Sequence, residues 1–350
     1  MKCLCVVMLV CFLTALSVAQ TPGLGTVSNV TPLSSCPAGF PVGAKCTSAT
    51  ISCSGTVDIQ ITFGLHEVPA PKGTIVLHGG SGGTDASSGL GSTFDQKYTA
   101  DGYSVVSLAW ASPWEDTGLA SKSIRTAACR PATALNFILN NRSTHGAKCA
   151  QGFSGGSGAW AYALAAYDAG SYLDKVVLEA GPVFSDIALG CQVPNPQKVT
   201  VCADGQFGCV PGDTFSDIPT YGGTVVGLMR QVTGIRSCGG ATNTTMQSSA
   251  VWKTQSIVDG TSKSSFSYPH TSIAGWVCDN GLNNSAAQGD LFYQQFTSAS
   301  QVDHFQVTPI ENCAGAEGVW FGKTPRGEDG LDAIVADTTD PISGCVQHTH

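Results

Sequence analysis

The chain has 350 residues, of which 42% are hydrophobic and 12% are charged, and its formal net charge is −8. This length is sufficient for one large hydrophobic core or for a core domain with an insertion. The negative charge gives the protein no electrostatic reason to bind nucleic acid or an anionic membrane surface, so neither is an expected partner.

The first 19 residues have the pattern of a secretory signal peptide. Lys2 supplies a positive start, Cys3 to Leu16 form an apolar run, and Ser17-Val18-Ala19 places small residues where a signal peptidase reads them. We expect cleavage before Gln20 and a secreted, extracellular protein. The apolar run is too short for a transmembrane helix, and no later segment reaches about 18 apolar residues, so no membrane span is expected.

The cysteine count predicts disulfide bonds. Three of the 15 cysteines lie in the predicted signal peptide, and the twelve that remain form an even set, typical of a secreted chain with up to six disulfides. The sequence has no CxxC pair and no HExxH, so we expect no metal site. Asn141, Asn243 and Asn283 are predicted glycosylation sites if the host is eukaryotic, and Asn29 is a weaker one.

Strand and helix signals alternate along most of the chain. Residues 20–47 are rich in Thr, Pro, Ser and Gly and indicate an extended leader, and residues 48–63 alternate in the way of paired strands. Strands are then predicted over 74–78, 103–110, 148–151 and 173–179, with helices over 124–140 and 158–167. This alternation predicts an α/β protein with a mainly parallel sheet, which binds ligands at the carboxyl ends of its strands.

Residues 186–268 lose this alternation. They carry four cysteines and many Gly, Ser and Thr residues, with one helical piece near 222–233, and we interpret them as a disulfide-pinned insertion that forms a possible cap. The alternation then returns, with strands at 272–278 and 304–310 and helices at 286–296 and 330–337. The predicted organisation is one domain over 48–350 that contains the insertion at about 186–268.

Residues 152–159 read GFSGGSGA and follow a predicted strand directly. The first five fit G-x-S-x-G, in which a nucleophilic serine stands on a strained turn between a strand and a helix. The N-terminus of that helix would place N–H groups and a positive dipole near a developing negative charge. Ser157 fits only G-x-S-x-A and would lie inside the helix, so Ser154 is the predicted nucleophile. The other interpretation is a glycine-rich turn with an incidental serine.

A second glycine-rich segment, HGGSGG over 78–83, follows the 74–78 strand. We expect the N–H groups of Gly80 and Ser81 on one side, and that of Gly155 on the other, to form an oxyanion hole. A phosphate-binding loop is disfavoured because the segment has neither a Walker lysine nor GxGxxG spacing. His78 lies on the oxyanion side and is predicted to order the loop rather than to act as a base.

HGGSGG, GFSGG and the order of the strands resemble the α/β-hydrolase superfamily and are similar to secreted serine esterases and lipases. The resemblance covers about residues 48–350 apart from 186–268. It implies the α/β-hydrolase fold, with helices flanking a mainly parallel central sheet, and a chain order of serine, acid, histidine. In that order Asp279 is the predicted acid, Asp186 is the alternative and Asp290 is a more distant one. An ordinary turn aspartate is the other interpretation of Asp279.

In that superfamily the histidine follows the last strand, but residues 314–318 contain none. His270 and His304 precede their strands and should lie at the opposite edge of the sheet. His348 is therefore the predicted base and His350 the alternative. A Cys313–Cys345 disulfide would carry the C-terminal tail back to the last strand, and we expect it for that reason. A frayed tail is the competing interpretation.

With this triad the sequence predicts a secreted serine hydrolase that needs no cofactor. It would cleave a small-molecule or polymeric carboxylic ester through an acyl-enzyme on Ser154. The alternative from another class is a non-catalytic secreted recognition module on the same fold, which the missing histidine favours. A serine peptidase or polyester depolymerase is the third hypothesis, since fold does not fix substrate. The sequence gives no oligomeric state.

Overall fold

The computed structural model describes residues 23–119, 123–141, 146–187, 197–199, 215–217, 250–258, 264–278, 285–299, 305–311, 313 and 317–348. The predicted signal peptide lies outside these residues, as do most of the predicted insertion and the helical piece near 222–233. The cleavage site and the cap therefore stay predictions. None of the described helices is both long enough and apolar enough to cross a membrane.

The described strands form two sheets, a large one and a small one. In chain order they are β1 (Thr26–Pro32), β2 (Lys45–Ser52), β3 (Ile59–His66), β4 (Gly73–His78), β5 (Ser104–Trp110), β6 (Ala147–Phe153), β7 (Lys175–Glu179), β8 (Gln197–Val199), β9 (Phe215–Asp217), β10 (Ser272–Cys278) and β11 (Phe305–Ile310). Nine of them make the large sheet, in the order β1-β2-β3-β5-β4-β6-β7-β10-β11, and β8 pairs with β9.

The large sheet is mainly parallel, as predicted. Six neighbouring strands of this sheet, in the spatial order β5-β4-β6-β7-β10-β11, pair in parallel. Strands β1, β2 and β3 extend the sheet beyond β5 in antiparallel fashion. Strands β4, β7 and β10 are buried along their whole length, which is why they read as continuous apolar runs rather than as alternating patterns.

The predicted boundary at residue 48 is wrong. Residues 26–32 form β1, and residue 48 lies inside β2, so the expected leader supplies an edge of the sheet. Most of β1 is exposed, which removes the periodic apolar signal that marks a strand in a sequence. A Cys36–Cys46 disulfide closes the connection between the two strands.

Helices cover both faces of the large sheet. They are α1 (Gly91–Ala100), α2 (Ile124–Ala127), α3 (Cys129–Asn141), α4 (Gly155–Tyr167), α5 (Ala250–Gln255), α6 (Ser285–Ala299), α7 (Gly318–Phe321) and α8 (Gly330–Thr339), with a 3-10 turn at Ala169–Ser171. The helix predicted over 124–140 is divided into α2 and α3, and α1, α5 and α7 were not predicted. Alternate strand residues point to opposite faces, so one core lies under α3 and α4 and another under α1, α7 and α8.

Four disulfides lie within the described residues. Cys53–Cys129 ties β2 to α3, and Cys278–Cys313 joins the carboxyl ends of β10 and β11. Cys345 bonds to Cys149 in β6, so the predicted Cys313–Cys345 disulfide is wrong. Spacing along a chain does not determine connectivity, and here the C-terminal tail returns to a different strand from the one expected.

Candidate active site

Ser154 occupies a strained turn between β6 and α4. Its φ is 52° and its ψ is −110°, a conformation that a residue other than glycine rarely adopts. The turn is held on both sides, because the Ser154 N–H donates to the Glu179 carbonyl at 2.8 Å and the Ser154 carbonyl accepts from the Gly158 N–H at 3.1 Å. Ser154 is half-buried, whereas its neighbours in the turn are buried.

The two outer glycines of the G-x-S-x-G pattern are required by close packing. A Cβ on Gly152 would lie 2.5 Å from the carbonyl carbon of Gly156, and a Cβ on Gly156 would lie 2.3 Å from the carbonyl oxygen of His78. The sequence pattern therefore reports a real steric demand of this turn.

Ser157 belongs to the core and not to the turn. Its side chain is fully buried, and its Oγ lies 2.6 Å from the Gly152 carbonyl oxygen and 2.7 Å from that of Glu179. This hydroxyl is used to hold α4 against the ends of β6 and β7, which agrees with the preference for Ser154 as the nucleophile.

The glycine-rich loop after β4, residues 79–83, lies directly against Gly155; we call it the oxyanion loop after its predicted role. A Cβ on Gly155 would lie 2.0 Å from the Ser81 carbonyl oxygen and 3.0 Å from the Ser81 nitrogen. Ser81 itself has a φ of 50°. The structure thus brings together two of the three predicted oxyanion residues, Ser81 and Gly155, beside Ser154.

Gly80, the third predicted oxyanion donor, is already engaged. Its N–H donates to the Ser88 hydroxyl at 3.1 Å, and its carbonyl accepts from the Gly83 N–H at 3.0 Å. The expectation that Gly80 donates to an oxyanion disagrees with this bond. This bond was not predictable from the glycine pattern, because its partner, Ser88, lies eight residues further along the chain.

His78 orders the oxyanion loop, as predicted. Its Nδ1 lies 2.8 Å from the Gly79 carbonyl and its Nε2 accepts from the Trp110 indole N–H at 3.0 Å, which fixes the proton on Nδ1. Burial lowers the pKa of His78 to about 4, so the ring is neutral. With both nitrogens occupied, His78 does not fit the role of a base.

The predicted acid, Asp279, lies outside the described residues. The preceding residue, Cys278, ends β10, two strands away from β6 in the sheet. The alternative, Asp186, is half-buried, and its backbone N–H and carbonyl bond to the side chain of Gln288 in α6 at 2.8 and 2.9 Å. Asp290 lies in α6. Asp279 therefore stays a prediction.

The prediction that His348 is the base is wrong. The His348 N–H donates to Asp174 Oδ1 at 2.6 Å, and Asp174 Oδ2 accepts from the Lys148 N–H at 2.7 Å. These contacts lie at the amino end of β6, and Ser154 lies six residues further along the strand, roughly 20 Å away. The Cys149–Cys345 disulfide fixes the tail at that edge. The alternative base, His350, lies outside the described residues.

The other described histidines, His66, His270 and His348, lie near amino ends of parallel strands. His66 pairs with Asp95 at 2.7 Å and stands opposite Val105, at the amino end of β5. His270 comes two residues before β10. His145 and His304 lie outside the described residues and precede β6 and β11 in sequence, while residues 188–249 contain no histidine. Among the described histidines, His78 alone lies at the carboxyl edge.

Two buried glutamates near this edge were not foreseen. Glu179 ends β7, and Glu115 lies in the segment that follows β5. Burial raises the pKa of each to about 8. A carboxylate at the end of an apolar run (KVVLE) is the one sequence signal that was available for Glu179.

No protein-family model matches the sequence, and no curated protein matches it either. Solved structures are similar in fold. An esterase from Pyrobaculum calidifontis is 14% identical with a TM-score of 0.50, over 85% of this chain and 86% of that one. Brefeldin A esterase, described as a bacterial homologue of human hormone-sensitive lipase, is 14% identical with a TM-score of 0.47, over 87% of this chain and 78% of that one. Est1E from Butyrivibrio proteoclasticus is 10% identical with a TM-score of 0.45, over 84% and 96% of the two chains.

Proposed function

The chain has the α/β-hydrolase fold, and from that premise we propose that it is a serine hydrolase that cleaves carboxylic esters with Ser154 as its nucleophile. The observation that carries the proposal is the backbone of Ser154, with φ 52° and ψ −110°, between a parallel strand and a helix. Strain of this kind persists where the surrounding structure enforces it, and it is common at reactive residues.

The chemistry would proceed in two steps. Ser154 Oγ attacks the ester carbonyl carbon, loses its proton to a base, and forms a tetrahedral oxyanion that the N–H groups of Ser81 and Gly155 stabilise. Collapse of this intermediate expels the alcohol, which takes up the proton, and leaves an acyl group on Ser154. Water then attacks the acyl carbon, the bond from that carbon to Ser154 Oγ breaks, and the carboxylic acid leaves while Oγ takes back a proton that originates from the water. Asp279 stays the proposed acid, and no described histidine fits the role of base.

The placement of the histidines favours a second candidate function, a non-catalytic recognition module on the same fold. His66, His270 and His348 lie at the amino edge, and both ring nitrogens of His78 are engaged. A serine without a base is a weak nucleophile. In this candidate the two glycine-rich turns bind a ligand without turnover.

Hydrolysis of a series of p-nitrophenyl esters with acyl chains of increasing length tests the proposal. We expect activity in the secreted wild type and its loss in Ser154→Ala, while Ser157→Ala, which removes a hydroxyl from the core three residues away, retains activity once refolding is verified by circular dichroism. Folded wild type without activity on any ester would favour the recognition module. Equal loss in both variants, with both folded, would contradict the assignment of Ser154 alone.

A further inference from the structure

Glu179 lies at the centre of a buried polar network. Its side chain is 1% exposed, and its two oxygens accept hydrogen bonds from different elements, Oε1 from Gln151 Nε2 in β6 and Oε2 from Trp320 Nε1 in α7. Gln151 Oε1 in turn accepts from the Tyr98 hydroxyl of α1, which lies 3.2 Å from Thr338 Oγ1 of α8. The network therefore links the ends of two central strands to three helices on one face.

The same residue also supports the turn at Ser154. The Glu179 carbonyl accepts the Ser154 N–H at 2.8 Å, and Glu179 stands opposite Phe153 in the β6–β7 register. The Phe153 ring lies 4.3 Å from the Trp320 ring, centroid to centroid. Glu179 thus contacts the residue that carries the proposed nucleophile, and its side chain orients the indole that packs against the preceding residue.

Glu179 also lines a small cavity that reaches the first residue of the oxyanion loop, Gly79. Gln151, His78, Ser88 and Phe153 line the same cavity. Ser88 is the residue whose hydroxyl accepts the Gly80 N–H. A charge on Glu179 would therefore be felt where an oxyanion is expected to form, in surroundings of low dielectric constant.

The described side chains that share this network and cavity with Glu179 are neutral near pH 7. Its two hydrogen-bond donors, an amide and an indole, carry no charge. Burial lowers the pKa of His78 to about 4 and raises the pKa of Tyr98 well above its usual value. Asp337 acts on Tyr98 through its charge, but it is paired with Lys175 at 2.9 Å. Burial raises the pKa of Glu179 itself to about 8, so it is mostly protonated at neutral pH.

We propose that Glu179 is a positioning residue for the proposed Ser154 site, which as a neutral acid holds the turn and the oxyanion loop in place and as a carboxylate opposes formation of the oxyanion. This inference rests on the proposed function. The inference predicts that the activity of the site falls in alkaline solution. A serine hydrolase whose activity depended only on deprotonation of its base would stay active there.

The first test is the rate of Ser154 labelling by a fluorophosphonate probe between pH 6.5 and 10, with hydrolysis of the probe measured in parallel. In the wild type we expect the rate to fall at least about tenfold between pH 7 and pH 9.5, because deprotonation of one group changes a rate by up to tenfold per pH unit. Glu179→Gln, which stays neutral, should abolish this fall. Glu115→Gln removes another fully buried glutamate and should retain it.

The second test does not depend on labelling. The emission of Trp320 is obtained as the difference in fluorescence between the wild type and Trp320→Phe. Because Trp320 donates to Glu179, this emission should change near pH 8. The same difference measured in the Glu179→Gln background should not change. The inference is overturned if the wild type labels but the labelling rate falls at alkaline pH in Glu179→Gln as well. It is also overturned if the fall is absent in Glu115→Gln. Either result leaves the proposed function standing. A folded protein that shows the fluorescence transition but never labels refutes the proposed function and, with it, the positioning role.

Discussion

At the residue scale, the strained turn at Ser154 depends on neighbouring glycines, because a side chain at their positions would clash with nearby backbone. Gly155 allows the Ser81 backbone to approach so closely that a Cβ would lie 2.0 Å from the Ser81 carbonyl oxygen. This contact joins the turn to the oxyanion loop, and it is the part of the site that was predictable from two short patterns. Glu179 was not predictable, because its donors come from residues 28 and 141 positions away.

Gly155→Ala tests this contact. The added methyl group must push Ser81 away, so the oxyanion loop should shift and the labelling rate should fall about 10²–10³-fold, the usual cost of losing one oxyanion donor. The measurement is the fluorophosphonate labelling rate at pH 7 in protein verified as folded. Gly23→Ala is the matched control, since a Cβ there meets no atom within 4 Å. A normal rate in Gly155→Ala would contradict the assigned role of Ser81.

At the scale of elements, the C-terminal tail closes the amino edge of the sheet. Lys175 at the start of β7 donates to Asp337 Oδ1 in α8 at 2.9 Å and to the Ser343 carbonyl at 3.1 Å. Cys345 and His348 follow, one bonded to Cys149 and the other to Asp174. These contacts explain why the base was wrongly predicted from the sequence. The number of residues after β11 is large enough for the tail to reach either edge of the sheet.

Removing the Cys149–Cys345 disulfide should reduce the stability of the protein without changing the activity of the Ser154 site. The two cysteines are 196 positions apart in the chain, so Cys149→Ala/Cys345→Ala should lower the free energy of unfolding by about 2–5 kcal/mol. Urea unfolding measures this loss. Labelling of the folded variant should be unchanged, as should that of His348→Ala, because both sites lie at the edge opposite Ser154. Loss of labelling in folded His348→Ala would return the tail to the active site.

At the scale of the whole molecule, the alternation of strand and helix patterns was sufficient to predict a mainly parallel sheet with helices on its two faces. What escaped prediction depends on the path of the chain in space. The exposed strand β1 lacks a periodic pattern, and disulfide partners are chosen by proximity rather than by spacing. The raised pKa values of the buried glutamates also escaped prediction, because they follow from the packing around these side chains.

The buried glutamates make stability depend on pH. Burial raises the pKa of Glu115 and of Glu179 to about 8, so the folded state holds more protons than the unfolded state from about pH 4.5 to pH 8, and stability falls as pH rises. His78, with its lowered pKa, acts in the opposite sense only below about pH 6.5. Between pH 6.5 and pH 8 the glutamates act alone among these groups.

We therefore expect the urea midpoint of the wild type to fall between pH 6.5 and pH 8, and to fall less in Glu115→Gln/Glu179→Gln. Each shift of one pKa unit corresponds to about 1.4 kcal/mol, so the difference should be measurable. Parallel curves for the two proteins over this range would show that neither glutamate is protonated in the folded state.

Fluorophosphonate labelling of the purified protein at pH 7 decides whether Ser154 is a reactive nucleophile, when the adduct is located by mass spectrometry of the peptides. We expect one adduct, on Ser154, and none in Ser154→Ala. Folded wild type without an adduct, or with its adduct on another residue, would contradict the claim that the strained turn after β6 carries a reactive nucleophile.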